Sequence, residues 1–175
     1  MNYIVMALKS EAQAFADRFK LKKTQLKNYT LFFNDTIKII VSGIGVEKAR
    51  VATQTLINHY DLTDNDRFYN IGVCGANQSF AIGSLLEIGS ITYENSCYSF
   101  GGGVNIRCSD AEVTHDRFSV VDMECYGFYD AVIHNPAIKH FRIYKVVSDH
   151  FKPHTLTKDM VKSLIFNQIE NMGIF

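Results

Sequence analysis

Three apolar runs of strand length each lead into a carboxylate: Tyr3-Ile4-Val5-Met6-Ala7-Leu8 into Glu11, Val120-Val121-Asp122-Met123 into Glu124, and Ile143-Tyr144-Lys145-Val146-Val147-Ser148 into Asp149. A single acid in such a place has a plain explanation, because an acid after a strand commonly caps the helix that follows. Three in corresponding places put carboxylates at the ends of several strands. In α/β sheets that edge is where ligands bind, in loops over an apolar floor.

The rest of the chain fits the same architecture. Ser10 with Gln13 reads as a capping box opening a helix through Phe15-Ala16. Leu31-Phe32-Phe33 and Ile37-Lys38-Ile39-Ile40-Val41 flank Asn34-Asp35, two residues that tolerate positive φ, and so predict an antiparallel hairpin. Ser42-Gly43-Ile44-Gly45 then turns into a helix whose apolar positions continue through Leu56 and Ile57. Phe68 to Val73 and Leu85 to Ile91 read as core strands, Tyr126 to Ile133 as a helix, and Ile143 to Val147 as a buried strand. Thr157 to Met172 should be an amphipathic helix with Met160, Val161, Leu164, Ile165 and Ile169 inward. The fold class is α/β: a single domain spanning 1–175, with a mixed twisted sheet flanked by helices on both faces. No repeat, linker or low-complexity segment interrupts it.

Charge and cysteine usage narrow the partners. Over 175 residues, 18 basic side chains balance 18 acidic ones, so the chain lacks the positive excess that holds nucleic acid by its phosphates, and a small molecule is the expected partner. No apolar stretch reaches membrane-spanning length, and Met1-Asn2-Tyr3 lacks the basic opening of a signal peptide, which leads to the expectation of a cytoplasmic protein. Cys74, Cys97, Cys108 and Cys125 are scattered without CxxC pairs and are expected to be reduced, mostly buried thiols. Pro153 between His150 and His154 argues against a helix presenting both to a metal, so no metal is expected. Gly43-Ile44-Gly45-Val46-Glu47-Lys48 lacks the third glycine of a dinucleotide fingerprint, so no cofactor is expected either.

Six short motifs follow one another along the chain: Met6-Ala7-Leu8-Lys9-Ser10-Glu11, Ser42-Gly43-Ile44-Gly45, Asn70-Ile71-Gly72-Val73-Cys74-Gly75-Ala76, Ile82-Gly83-Ser84, Asp122-Met123-Glu124 and Val147-Ser148-Asp149. In that order they resemble the purine nucleoside phosphorylase and uridine phosphorylase superfamily, most closely its hydrolytic methylthioadenosine/S-adenosylhomocysteine nucleosidases. The resemblance implies a nucleoside phosphorylase-like fold and association of copies, with a dimer favoured. It implies that Glu11 activates the attacking water, Glu124 binds the ribose hydroxyls, Asp149 is the acid at the base, Met123 lies under the ribose and Ser148 orients Asp149.

The chemistry asks for the same residue types. An N-ribosidic bond breaks through an oxocarbenium-like state, so the purine must leave neutral, and an acid must deliver a proton to N7. A second carboxylate must accept the proton of the attacking water. A third can accept from the 2′ and 3′ hydroxyls while its charge stabilises the developing cation. Phosphorylases of the superfamily hold phosphate with arginines, one of them early in the chain. Here the segment before Glu11 offers only Lys9, and Arg18 and Arg50 fall in helical runs expected at the surface, so water is the expected nucleophile.

The chain departs from the family in places. Between Ile91 and Asp122 it is shorter, in a stretch that normally supplies base-stacking residues and part of the subunit contact. Ser99, Phe100 or Val104 to Asp110 could replace it, Phe100 either as a stacking face or as ordinary loop packing. Val73 stands where hydrolytic members carry a small hydroxyl residue, Asp122 where they carry a glutamate, and Lys145 where an arginine is common. His150 could tune Asp149 or face solvent. These departures leave three readings: a purine-type nucleosidase with a changed substrate, a nucleoside-binding chain that does not cleave, and a phosphorylase.

Overall fold

A computed structural model describes residues 1–174. The first half runs β1 (Asn2–Met6), α1 (Lys9–Phe19), β2 (Lys22–Leu26), β3 (Tyr29–Phe33), β4 (Ile37–Val41), α2 (Val46–His59) and β5 (Arg67–Ala76). The second continues β6 (Leu85–Tyr93), β7 (Ser96–Ser99), β8 (Val104–Cys108), β9 (Val120–Asp122), α3 (Cys125–Ile133), β10 (His140–Asp149) and α4 (Lys158–Gln168).

β1 is the middle of the sheet, parallel to β4 on one side and to β5 on the other. Its residues show why such a strand is apolar throughout: Val5 packs into the core under α2 and α3, while Ile4 and Met6 pack into the core under α1 and α4. Successive side chains point to opposite faces, and here helices cover both. Helices therefore flank the sheet on both sides, as expected. The two helices of each layer touch directly, and Gly127 sets how closely α3 approaches α2: a Cβ there would lie 1.9 Å from the Val46 carbonyl oxygen.

Beyond β5 the sheet departs from an open one. β10 pairs with β5 in parallel and with β6 antiparallel; β6 pairs with β8, β8 with β9, and β9 returns to β5 antiparallel. The five strands β5, β10, β6, β8 and β9 thus close into a ring at one end of the sheet, while β4, β3 and β2 form its open edge. Closure pairs the ring strands with one another, and β7 adds antiparallel to β6 beside the ring. At the open end, β2 leaves four of its five residues exposed and carries Lys22 and Lys23, which guard the edge.

Several local expectations change. Helix α1 begins at Lys9 with Leu8 as its N-cap, so Ser10 and Gln13 do not form the capping box; the Glu11 carboxylate accepts the Leu8 N–H instead. The Asn34-Asp35 turn forms without positive φ at either residue. The Asn34 side-chain oxygen accepts the Thr36 and Ile37 N–H groups at 2.9 and 2.8 Å, an Asx turn that bends the chain in ordinary φ/ψ space. The last helix ends at Gln168 and tightens into a 3₁₀ turn over Glu170–Met172, and Met160 is 46% exposed while Val161, Ile165 and Ile169 are buried.

Candidate active site

A cavity of ≈ 640 Å³ opens where the parallel strands end, and its wall carries Glu11, Met123, Glu124, Ser148 and Asp149. The fold brings all five residues singled out in the sequence to one place.

Glu11 sits on the first turn of α1 and is 2% exposed. Its Oε2 accepts the Leu8 N–H at 2.8 Å and its Oε1 accepts the Val73 N–H at 2.9 Å. The cap and the functional reading coincide: one oxygen closes the helix end, the other ties the carboxylate to β5, and each oxygen keeps a second lone pair. Burial pushes the Glu11 carboxyl above the ordinary 4.5, against the backbone N–H groups of Leu8, Val73 and Ala7 and the Lys145 charge, which pull it down. Gly72 leaves the room this needs, since a Cβ there would stand 2.9 Å from Glu11 Oε1.

Glu124 lies at the junction of β9 and α3, where its Oε1 accepts the Gly45 N–H at 3.0 Å. Its carboxyl is pushed up to about 7, by burial first and the Asp122 charge next, with Lys145 opposing. Beneath it, Asp122 Oδ2 accepts the N–H groups of Glu124 at 3.2 Å and Cys125 at 2.9 Å, closing the N-terminus of α3. The same oxygen lies 2.7 Å from the Lys145 ammonium, and both side chains are 1% exposed. Sequence reasoning noted Asp122 and Lys145 separately and missed the pair. The available signal was a lysine inside an apolar strand, since a buried charge requires a partner.

Asp149 ends β10 just after a register shift against β5, where Val147 faces Cys74 and Asp149 faces Gly75. Such irregularities re-aim side chains. Asp149 Oδ2 lies 2.8 Å from Ser148 Oγ, which is also 3.1 Å from the Cys74 carbonyl oxygen, and Oδ1 accepts the Lys152 N–H at 2.7 Å. The serine hydroxyl can donate to an ionised Asp149, or donate to Cys74 and accept from a protonated one. His150 is half-buried, and its Nδ1 lies 2.9 Å from the Ala76 carbonyl oxygen, a contact that ties the loop to β5.

Phe100 is not at the site. Its ring packs on Tyr129 and Phe141 with centroids 5.1 and 5.3 Å away, the loop-packing alternative. The run from Val104 becomes β8 of the ring, and Ala111, Glu112 and Val113 just beyond it reach the cavity. Among the described residues no aromatic side chain lines the cavity. Arg18 pairs with Glu170, and Arg50 with Glu47 and Asp130, so neither arginine lines it. Lys9, Lys158 and Lys162 are the cations on its wall, and Glu112 and Asp159 are further acids on it. Cys108, Asp122 and Cys125 bring possible metal-ligand atoms within 4.8 Å of one another. Asp122 already carries the Lys145 ammonium, so the cluster is an ion pair flanked by thiols rather than an open cation site.

No family model matches the sequence, and no curated protein matches it. Solved structures do match the fold. The methylthioadenosine/S-adenosylhomocysteine nucleosidase of Helicobacter pylori, in a structure with butyl-thio-DADMe-Immucillin-A, aligns over 98% of this chain and 95% of its own with a TM-score of 0.81 at 13% identity. The corresponding nucleosidase of Colwellia psychrerythraea, in complex with adenine, aligns over 97% and 94% with a TM-score of 0.75 at 17% identity. The futalosine hydrolase of Helicobacter pylori aligns over 98% and 95% with a TM-score of 0.81 at 12% identity. The chain therefore has the nucleoside phosphorylase-like α/β fold. Within that class, the structures it is similar to include methylthioadenosine/S-adenosylhomocysteine nucleosidases and a futalosine hydrolase.

Proposed function

We propose that the protein is an N-ribosyl hydrolase that cleaves the glycosidic bond of a purine-type nucleoside such as methylthioadenosine or S-adenosylhomocysteine. The observation that carries this reading is the convergence of three carboxylates, Glu11, Glu124 and Asp149, on one cavity wall, each held by different hydrogen-bond donors. Asp149 gives a proton to N7 of the departing base, with Ser148 fixing its orientation. Glu124 accepts from the ribose hydroxyls, and its charge offsets the positive charge developing on the sugar. Glu11, whose carboxyl burial raises above the ordinary 4.5, takes the proton of the attacking water. Met123 supplies the apolar floor under the ribose.

Water rather than phosphate follows from charge. Glu11 and Glu124 face the place an attacking group must occupy, and the cation nearest to them, Lys145, is committed to Asp122. A phosphate dianion there would meet two carboxylates and a lysine already paired; of the other lysines on the cavity wall, Lys162 pairs with Asp17 while Lys9 and Lys158 are exposed to solvent. The substrate classes named for the neighbouring structures support a nucleoside as ligand. We further expect a cytoplasmic protein acting as a dimer. Ile44 lines the cavity yet is 49% exposed, and a second copy would cover it and narrow the cavity mouth.

The test is release of free base from methylthioadenosine, S-adenosylhomocysteine, adenosine and inosine, with and without phosphate, followed by reverse-phase separation. Base release independent of phosphate is the expected result, with Glu11→Gln and Asp149→Asn each reducing it by about 10²-fold or more. Sugar 1-phosphate as product would identify a phosphorylase. A second reading, a nucleoside-binding chain without turnover, draws on the absence of an aromatic base clamp among the described cavity residues. It predicts thermal stabilisation by a nucleoside with no base released.

A further inference from the structure

Lys145 is the one cation among the buried residues described, in a region crowded with acids. On β10 it stands in register with Gly72 of β5, the glycine on which the Glu11 carboxylate rests. The groups that act on it come from five elements: Asp122 from β9, Glu124 and Cys125 from the start of α3, Glu11 from α1, Cys74 from β5 and Cys108 from β8. Burial pushes the Cys74 and Cys125 thiols upward, so they stay uncharged and the balance lies between one ammonium and the carboxylates.

The pair with Asp122 is poorly explained as a stabilising device. Asp122 Oδ2 takes the ammonium and two backbone N–H groups, while Oδ1 is buried with no partner. An apolar pair of similar volume commonly stabilises a core as well or better. What the ion pair adds is a fixed positive charge directly behind the backbone of Glu124.

We propose that Lys145 is a positioning residue, whose ammonium anchors Asp122, and through it the backbone of Glu124, and whose positive charge favours the anion of Glu124 at the ribose end of the cavity. The inference rests on the nucleosidase reading for its purpose, but not for its physics. Burial and the Asp122 charge push Glu124 up, and Lys145 opposes them. Without Lys145 both upward pushes act unopposed, and the balance at neutral pH shifts further towards protonated Glu124. Without the Asp122 charge the balance tips the other way. Protonated Glu124 presents one acceptor oxygen and a donor where the two ribose hydroxyls require acceptors.

The experiment is a direct titration of Glu124 by NMR in protein labelled with ¹³C at the glutamate carboxyls, the signal assigned with Glu124→Gln. Lys145→Met should move the midpoint up by about one pH unit or more, Asp122→Asn should move it down, and Lys145→Arg should leave it near the wild-type value. The acid limb of kcat/KM should move with it in each variant. A midpoint unchanged in Lys145→Met, with only a lower Tm, would reduce Lys145 to a structural role and overturn the proposal. If Lys145→Met does not fold, Lys145→Gln decides: a midpoint unchanged from wild type overturns it. The titration needs no turnover, so a wild-type protein that releases no base defeats the nucleosidase reading and leaves the Lys145 result standing.

Discussion

At the scale of single residues, the site holds its acids at a cost, and Glu124 shows it most directly. Its carboxyl, ordinarily at 4.5, stands at about 7 because it is buried beside Asp122. Folding above that pH therefore takes a charge out of water that the unfolded chain would keep solvated. Glu124→Gln keeps an oxygen for the Gly45 N–H and removes the charge. The variant should lose nucleoside binding yet unfold at a higher temperature at pH 8, by roughly 1–3 kcal/mol, and the gain should shrink at pH 5. Calorimetry at the two pH values checks this; a variant less stable at pH 8 would mean that the charge is fully compensated. The three acids were legible in the sequence because each follows an apolar run. The Lys145–Asp122 pair was not, because it joins β10 to β9, two strands that are not neighbours in the sheet, and the pairing depends on ring closure.

At the scale of elements, apolar periodicity located the long strands and helices, while polar turn chemistry decided details that periodicity cannot see. The β3–β4 hairpin was expected from Asn34-Asp35, but its mechanism is the Asn34 carboxamide accepting from Thr36 and Ile37. Asn34→Ala should cost about 1 kcal/mol of stability and leave base release unchanged, because the turn joins β3 to β4 and none of its residues lines the cavity. Asn34→Gly should cost no less, since the turn does not use positive φ; a Gly variant as stable as wild type would count against the Asx turn. The same reasoning explains two misjudged ends. Ser10 matched a capping pattern, but the Glu11 side chain took the Leu8 N–H from within the helix. Met160 matched the apolar stripe, but α4 turns it to the surface. Short β2 and β7 carry little apolar alternation and owe their existence to neighbours.

At the scale of the molecule, ring closure stacks carboxylates that would lie apart in a flat sheet, and the consequence is a pH dependence of stability. Glu11 and Glu124 both have carboxyls raised above 4.5 in the folded state, chiefly by burial. For such groups the folded form binds more protons than the unfolded one between the two pKa values, so their contribution is fully present below about 4.5 and is lost as pH rises through the folded value. Asp66 acts in the opposite sense. Burial would raise it, but the Met1 ammonium at 2.8 Å and the Thr63 N–H hold it below 3.8, so its contribution is constant above that value and fades only in stronger acid. Between pH 5 and pH 8 the raised glutamates therefore set the trend, and the free protein should melt several degrees higher at pH 5 than at pH 8. A bound nucleoside should reverse part of this. Its ribose needs the ionised form of Glu124, so the ligand-induced rise in Tm should be larger at pH 8 than at pH 5. A flat Tm across that range, together with an equal ligand shift at both ends, would show that Glu124 does not change protonation there and that the ribose is held by other groups.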